Sequence, residues 1–341
     1  MFSQKPNVAI VGSTGAVGQA MVAILEQREF PVGTLYPLAS ERSAGKTVMF
    51  RNKAVSVALL ESFDFSDVEV AFFSAGASVS AGHAARAVAS GCVVIDNTSQ
   101  FRNDPAIPLV VPEVNPSALS SHSGIIANPN CSTIQMVVAL KPIYDAVGIT
   151  RINVCTYQAV SGAGNKAMEE LAGQTAALLN GRPVEAKIMP KQIAFNAIPH
   201  IDSFQENGYT REEMKMVWET RKILEDQSIG VNPTTVRVPV FYGHSEAIHV
   251  ETREKISAQQ ARKLLGAAPG VTVVDERVDG GYPTAVTEAT DADPVFVGRI
   301  REDISCEKGL CLWVVSDNIR KGAALNSIQI AEHLLAQEGS A

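Results

Sequence analysis

Short apolar runs alternate with amphipathic stretches over the first 130 residues of the chain. Residues 7–11 (NVAIV) are almost wholly apolar, and the turn GSTGAVG separates them from the amphipathic stretch QAMVAILEQREF. Further apolar runs, which we predict to be strands, lie at residues 34–40, 68–76, 92–99, 109–112 and 124–127. Strands that alternate with helices are typical of a doubly wound parallel sheet. The pattern therefore predicts an α/β domain.

The pattern changes after residue 130, where helices and longer alternating strands follow one another. The spacing of apolar residues predicts helices at residues 131–148, 165–181, 212–226 and 320–337. Ser257 begins a further helix with the capping-box pattern S-A-Q-Q. Alternation predicts a strand at 151–164, a strand pair at 234–255 and a hairpin around residues 307–309. These elements indicate a second domain of the α+β class.

The length of 341 residues also suggests two domains. We expect the first to comprise residues 1–130 together with a C-terminal helix, residues 320–341, that returns to it. The second then comprises residues 131–319, inserted before that last helix.

Charge and composition exclude several classes of protein. The formal net charge of −7 argues against a nucleic-acid surface. No apolar run approaches the roughly 18 residues that span a bilayer, and the first strand begins too early for a signal peptide. The five cysteines include no C-x-x-C pair, so we expect neither disulfides nor a metal site. The sequence predicts a cytoplasmic protein with reduced thiols.

The glycine turn, residues 12–18, lies directly after the first predicted strand and opens a helix. Its three glycines allow a sharp turn and let backbone N–H groups approach a diphosphate at the positive end of the helix. The alternative is a tight turn without function, but its position at the start of a βαβ pattern favours a dinucleotide. The residues expected to bind the cofactor here are Gly12, Ser13, Thr14, Gly15, Ala16 and Val17.

The end of the second predicted strand bears on which nucleotide binds. The segment LASERSAGK places Ser40, Arg42 and Ser43 around Glu41. A guanidinium and two hydroxyls suit the 2′-phosphate of NADP, whereas a lone acid would suit the ribose of NAD. Arg42 could instead simply pair with Glu41. We favour NADP.

Cys131 differs from the other cysteines in its surroundings. It follows the turn NPN at the start of a predicted helix, and Asn130 can cap that helix. The helix dipole and free N–H groups there stabilise a thiolate, and they could also hold an oxyanion. The remaining cysteines lie in apolar runs or by a turn and are interpreted as structural; they are Cys92, Cys155, Cys306 and Cys311.

A thiol beside a nicotinamide cofactor suggests an aldehyde chemistry that passes through a thioester. Such chemistry needs an acid or base, most often a histidine. Of six histidines, His244 is the best candidate because Gly243 marks a bend that could re-aim its side chain. Arg237 lies seven residues earlier, as a charge within an alternating apolar run.

At this point the chain resembles the aspartate-semialdehyde dehydrogenase family, in its bacterial NADP-linked form, over nearly its full length. The stretches that match the family are GSTGAVG, ASERSAGK, FRND, NPNCSTIQ, QAVSGAG, ETRKIL, RVPVFYGHSEA and DNIRKGAALNSIQIAE. The cysteine motif and the R-x6-H pair separate it from glyceraldehyde-phosphate dehydrogenases and acylglutamyl-phosphate reductases. The resemblance implies a Rossmann-like domain followed by a catalytic and dimerisation domain of the glyceraldehyde-phosphate-dehydrogenase type.

The resemblance also implies a role for each matching residue. Cys131 would be the nucleophile, His244 the acid/base and Gln158 a group that holds the substrate beside the thiol. Arg237 would bind the substrate α-carboxylate, with Asn130 and Glu219 also at the substrate. Arg102 and Lys222 would bind phosphate. The residues expected near the nicotinamide are Ser161, Gly162 and Asn318.

Plainer interpretations stand beside these roles. Glu219 and Lys222 are spaced i, i+3 and could form an ordinary surface pair. Arg102 could pair with Asp104, whose charge departs from the family pattern at that position.

The expected activity is the NADPH-dependent reductive dephosphorylation of L-aspartyl 4-phosphate to L-aspartate 4-semialdehyde, by a homodimer or a dimer of dimers. The alternatives are a related acyl-phosphate reductase, a phosphorylating aldehyde dehydrogenase with another substrate, or a catalytically idle relative.

Overall fold

The computed structural model describes residues 3–338, which form two compact units. The first comprises the residues up to Asn130 and those from Ala323 onward, and the second comprises Cys131–Gly322. Residues 339–341, at the end of the predicted C-terminal helix, lie outside the described residues. None of the helices between residues 3 and 338 is both long and apolar enough to cross a membrane.

The helices and strands are numbered in chain order. The strands of the first unit are β1 (Val8–Val11), β2 (Leu35–Ala39), β3 (Thr47–Phe50), β4 (Lys53–Ser56), β5 (Ala58–Leu59), β6 (Val70–Phe73), β7 (Val93–Asp96) and β8 (Ile125–Ala127). Those of the second unit are β9 (Ile149–Gln158), β10 (Gly230–Arg237), β11 (His244–Thr252), β12 (Val271–Val273), β13 (Val295–Glu302) and β14 (Gly309–Ser316). The helices are α1 (Ala16–Gln27), α2 (Ala77–Ala89), α3 (Cys131–Val147), α4 (Asn165–Leu179), α5 (Arg211–Ile223), α6 (Ala258–Ala267) and α7 (Leu325–Glu338).

The first unit has a six-stranded parallel sheet in the order β5-β2-β1-β6-β7-β8. Both of its faces are covered. Val8 and Ile10 of β1 pack in one apolar core with α1 and α7, whereas Ala9 and Val11 pack in another with α2. Burial on both faces explains why these strands are continuous apolar runs. The predicted doubly wound sheet is confirmed.

The second unit has a mixed six-stranded sheet in the order β10-β9-β11-β14-β13-β12. Its three central pairings are antiparallel, and β10 and β12 join its edges in parallel. One face of β11 holds His244, Glu246, Ile248 and Val250, all buried. Helix α3 packs against this sheet. Helix α3 begins at Cys131, and strand β11 begins at His244.

Two predicted elements differ from the structure. Residues 109–112 form only one isolated bridge, between Leu109 and Ala127, because the flanking Pro108 and Pro112 have no N–H to extend a ladder. The predicted strand pair at 234–255 is also wrong, since β10 and β11 do not pair with each other but lie on either side of β9. The β13–β14 hairpin and the capping box at Ser257 are confirmed.

Candidate active site

Cys131 is the first residue of α3 and is partly exposed. The positive end of a helix stabilises a thiolate at this position. Gly322 packs directly against it, because a methyl group at Gly322 would lie 2.7 Å from Cys131 Cβ. By contrast, burial raises the pKa of Cys92 to about 12, which keeps that thiol protonated. The structure thus retains Cys131 as the best nucleophile candidate.

His244 and Arg237 are both held by the main chain of one residue, Ala159. The Ala159 N–H donates a hydrogen bond to His244 Nδ1 at 3.1 Å. The Ala159 carbonyl accepts one from Arg237 Nη1 at 2.7 Å. Both side chains are buried, and Ala159 follows directly after β9. The sequence contains no signal for this arrangement, because both contacts are made by main-chain atoms. We refer to Cys131, Gln158, Arg237 and His244 as the Cys131 site.

The hydrogen bond to Nδ1 fixes the tautomer of His244. A backbone N–H can only donate, so Nδ1 accepts and the ring proton of the neutral imidazole lies on Nε2. Burial, together with the charge of Arg237, lowers the pKa of His244 to about 3, while Glu212 opposes the shift. Nε2 has no hydrogen-bond partner among the described residues. His244 is therefore a neutral donor in this structure.

Gly162 leaves room next to these two side chains. A methyl group at Gly162 would lie 3.1 Å from Arg237 Nη1 and 3.5 Å from His244 Nε2. Any larger side chain would fill the space that the imidazole and the guanidinium border. Glycine at this position keeps that space open.

Gln158 connects α3, β9 and α5. Its amide nitrogen lies 2.9 Å from Ser132 Oγ and 3.3 Å from Glu212 Oε1, and its amide oxygen accepts from Arg237 Nη1 at 3.4 Å. The side chain is 1% exposed. These contacts fix the orientation of Gln158, and its contact with a substrate stays a prediction.

Glu212 is a site residue that the sequence reasoning missed. It lies on α5, is buried, and forms a 3.0 Å ion pair with Lys215, which also pairs with Asp202 at 2.8 Å. Its carboxylate raises the pKa of both Arg237 and His244 against the effect of burial. Spacing could have revealed it, since Glu212 and Glu219 are seven residues apart on one helix and therefore share a face.

Ser161 and Asn318 lie beside His244. Asn318 Nδ2 donates to Ser161 Oγ at 2.9 Å, and the Gly243 N–H donates to Asn318 Oδ1 at 2.9 Å. Gly243 has a φ of +84°, and a methyl group there would lie 2.7 Å from the Ala285 carbonyl oxygen. The predicted bend before His244 is present, and only glycine fits it.

The predicted anion-binding residues are distributed over both units. Arg102 in the first unit is buried and donates to the Asn97 carbonyl at 2.7 Å. In the second unit, Glu219 is 1% exposed on α5 and Lys222 is partly exposed one turn later. Burial of Glu219 argues against the plain surface pair. Asn130 is buried immediately before Cys131.

The glycine turn has the geometry that a diphosphate needs. Gly12 has a φ of +89°, and the Gly15 N–H donates to the Gly12 carbonyl just before α1 begins at Ala16. A methyl group at Gly18 would lie 2.3 Å from the Gly12 oxygen. Only glycine therefore allows α1 to approach β1 this closely. Ser13 is buried, and Thr14 completes the turn.

The turn after β2 presents Arg42. The Ser43 N–H donates to the Ser40 carbonyl at 2.9 Å, and Ser43 is buried. Arg42 is exposed and makes no hydrogen bond or ion pair within residues 3–338, so the alternative pairing with Glu41 is not formed. Its guanidinium is available to a phosphate.

One group of possible metal ligands lies elsewhere in the second unit. Ligand atoms of His249, Asp303 and Cys311 are within 4.8 Å of one another. The Cys311 thiol and His249 Nδ1 are already 3.2 Å apart, and Arg301 lies opposite Cys311 on β13. Burial raises the pKa of the Cys311 thiol. The group is accounted for by its own hydrogen bonds, and the adjacent guanidinium disfavours a cation.

Two family models match the chain. The model described as "Semialdehyde dehydrogenase, NAD binding domain" matches residues 7–122, and "Semialdehyde dehydrogenase, dimerisation domain" matches residues 140–321. The fold and the matched domains define a semialdehyde dehydrogenase. The predicted fold class, a Rossmann-like domain with an α+β domain, is thereby confirmed.

Individual relatives identify which semialdehyde dehydrogenases this chain is similar to. An aspartate-semialdehyde dehydrogenase of Legionella pneumophila is 64% identical over 335 residues, covering 98% of this chain and 96% of the relative. One from Shewanella violacea is 61% identical over 336 residues, covering 98% and 99%. The crystal structure of aspartate semialdehyde dehydrogenase II from Vibrio cholerae complexed with ASA has a TM-score of 0.96 and 60% identity, covering 98% and 99%. The chain belongs to the aspartate-semialdehyde dehydrogenase family, which confirms the resemblance seen in the sequence.

Proposed function

We propose that this chain catalyses the NADPH-dependent reductive dephosphorylation of L-aspartyl 4-phosphate to L-aspartate 4-semialdehyde through a thioester at Cys131. Family membership supports the reaction. The observation that most supports the residue roles is the main chain of Ala159, which holds an imidazole, with its proton on Nε2, and a guanidinium side by side. The substrate has a carbonyl and a carboxylate, and these two side chains suit them respectively.

The sulfur of Cys131 attacks the acyl carbon of the aspartyl phosphate, a C–S bond forms, and the C–O bond to phosphate breaks. Arg102 and Lys222 bind the phosphate that leaves. When bound, the nicotinamide cofactor supplies the hydride that reduces the thioester. The resulting oxyanion takes a proton and becomes the hydroxyl of a thiohemiacetal at Cys131. That hydroxyl gives the proton back as the C=O bond re-forms and the C–S bond breaks, which releases the semialdehyde and returns Cys131 to a thiolate.

His244 is the acid/base that we propose for these proton transfers, through Nε2. Burial and the charge of Arg237 hold the pKa of His244 at about 3 without substrate. A substrate carboxylate bound to Arg237 offsets one of these two causes and so raises that pKa. The imidazolium form that acts as the acid also carries a proton on Nδ1, so it forms only when the Ala159 N–H no longer donates to that atom. Asn130, Gln158 and Glu219 complete the substrate contacts in this proposal.

NADP is the cofactor we propose for the first unit. The N–H groups of the glycine turn face the diphosphate, and Ser40, Arg42 and Ser43 bind the 2′-phosphate. Ser161, Gly162 and Asn318 lie at the nicotinamide. Arg42, which has no partner within residues 3–338, supports NADP over NAD. The crystal structure of an aspartate semialdehyde dehydrogenase with NADP from Candida albicans is 26% identical to this chain with a TM-score of 0.78.

We further propose that the second unit mediates a homodimer or a dimer of dimers in the cytoplasm. The match to a dimerisation domain supports the assembly. Light scattering after size exclusion measures the assembly directly, and a monomer at micromolar concentration would contradict it.

The five free cysteines suit a reducing compartment.

A reverse-direction assay tests the proposed reaction. Purified enzyme is mixed with NADP⁺, inorganic phosphate and a set of aldehydes that includes aspartate semialdehyde, and NADPH is followed by absorbance. We expect turnover that depends on phosphate and is largest with aspartate semialdehyde. Phosphate-independent turnover, or preference for another aldehyde, would overturn the proposal.

A further inference from the structure

Glu246 is a fully buried carboxyl group directly behind the Cys131 site. It lies two residues after His244 on β11, so both side chains are on one face of the strand, and each is 0% exposed. Gln135 lies four residues after Cys131 on α3, one helical turn along the same face, and is 1% exposed. Behind the pair Cys131–His244 there is thus a second pair, Gln135–Glu246.

Among residues 3–338, only burial and the Gln135 amide shift the pKa of Glu246, so no cation acts on its carboxyl group. Its opposite positions are Thr156 on β9 and Val314 on β14, and neither side chain titrates. Two titratable side chains lie nearby in the chain: His244, two residues before it on β11, and Cys131, four residues before Gln135 on α3. Neither is a cation that would hold an ionised carboxylate, because His244 is neutral.

The polar atoms of this second pair are incompletely satisfied. Both carboxyl oxygens of Glu246 and both amide atoms of Gln135 are buried without a well-formed hydrogen bond among the described residues. Burial raises the pKa of Glu246 well above its usual range, and the adjacent Gln135 amide acts in the opposite direction. A bare carboxylate in such a place is costly.

A proton on the Glu246 carboxyl makes it complementary to the Gln135 amide. An ionised carboxylate only accepts hydrogen bonds, so it leaves the amide oxygen of Gln135 without a donor. A protonated carboxyl donates through its O–H and accepts through its C=O. It therefore matches an amide, which accepts through its C=O and donates through its NH₂. Small side-chain rotations bring these donors and acceptors together, since the two residues already lie against each other.

We propose that Glu246 keeps its proton in the folded enzyme and forms a neutral acid–amide pair with Gln135, which fixes α3 on β11 and so sets the approach of Cys131 to His244. Glu246 is thus a positioning residue that acts through the thiol and the imidazole. Its effect on turnover rests on the proposed function, whereas its protonation does not.

The isosteric variant Glu246→Gln tests the proton. A carboxyl with a raised pKa in the folded state stabilises the protein below its unfolded pKa, and this contribution is lost as pH rises toward the folded pKa. Glu246→Gln avoids that loss. We expect the variant to melt above wild type at pH 8, with the difference shrinking toward pH 5, and kcat to stay within about threefold. An equal or lower melting temperature at pH 8 would overturn the proton assignment.

Glu246→Leu tests positioning, with Ile248→Ala as the matched control on the same buried face. We expect Glu246→Leu to lower kcat by about tenfold or more with little change in KM, and to shift the pH profile of Cys131 alkylation by iodoacetamide, located by mass spectrometry. Ile248→Ala should lose stability without shifting that profile. An unshifted profile with wild-type kcat in Glu246→Leu would overturn the positioning role.

Gln135→Leu gives the same readouts if Glu246→Leu does not fold. These experiments distinguish failure of the proposed function from failure of the protonated pair. If the wild-type enzyme shows no phosphate-dependent turnover but Glu246→Gln still melts higher at pH 8, the proposed function fails and the protonated pair stands.

Discussion

The glycine turn of the first unit and the Cys131 site of the second are built in opposite ways. The turn is one continuous segment, residues 12–18, and its shape follows from the left-handed Gly12 and the close approach of Gly18 to the Gly12 oxygen. The Cys131 site combines side chains from α3, β9, β10 and β11, and its central element is the main chain of Ala159. A local motif depends on a few dihedral angles, whereas an assembled site depends on the register of a whole sheet.

If this contrast is right, changes in the Cys131 site leave cofactor binding intact. Cys131→Ser is the strongest test, because it removes the nucleophile without altering the glycine turn. We expect turnover to fall by at least about 10⁴-fold while NADPH still binds, as followed by its fluorescence. Appreciable residual turnover would contradict the thioester mechanism, and lost NADPH binding would contradict the independence of the two regions.

His244→Asn should have the next largest effect. We expect kcat to fall by about 10²–10⁴-fold with a modest change in KM, since the oxyanion loses its proton donor. Near-wild-type kcat would remove His244 as the acid.

The same variant sharpens the pH dependence of stability. The folded pKa of His244, about 3, is below its unfolded value, so its contribution to stability is present above about pH 6.5 and is lost as pH falls toward 3. The free energy of unfolding of wild type should therefore fall by up to a few kcal/mol over that range. Denaturant titrations of His244→Asn should not show this fall, because the variant lacks the imidazole. Parallel pH curves for the two proteins would contradict the buried neutral imidazole.

Gly162→Ala tests the space beside Arg237 with one methyl group. The added carbon would lie 3.1 Å from Arg237 Nη1, so we expect KM for aspartate semialdehyde to rise about tenfold, with a smaller effect on kcat. Gly173→Ala, on α4 with open space around it, is the matched control and should be kinetically silent. Equal kinetics for the two variants would show that Gly162 does not border the substrate.

Arg42→Ala should have the smallest effect and should be confined to the first unit. We expect NADPH to bind about ten- to a hundredfold more weakly, because the 2′-phosphate loses a charge-assisted partner, while NADH is unaffected. Lys46→Ala, an exposed cation four residues later, is the control. Equal losses for NADPH and NADH would contradict the proposed 2′-phosphate site.

The sequence predicted the local features of both regions. The parallel sheet, the start of α3 at Cys131 and the capping box at Ser257 follow from spacing and capping residues within a few positions of one another. The bend at Gly243 was found in the same way. Features of this kind depend only on residues that are close together in the chain.

The features that the sequence did not predict depend on long-range packing. The order β10-β9-β11 separates two strands that follow each other in the chain, and no local pattern encodes that. Gly322 matters because it packs against a residue nearly two hundred positions away. In the sequence Glu212 has the pattern of an ordinary helix acid, and only its burial beside Gln158 distinguishes it.

The main chain of Ala159 limits what natural variation can do to this site. Since both of its hydrogen bonds come from main-chain atoms, exchanging the side chain removes neither of them. Among the encoded amino acids only proline lacks the N–H, and the φ of −64° at Ala159 is one that its ring accepts. A single codon change to proline would therefore free His244 Nδ1 along an almost unaltered chain path. The histidine could then exchange its two tautomers. Residue 159 therefore determines, as much as residue 244 itself, which nitrogen of this imidazole carries the proton.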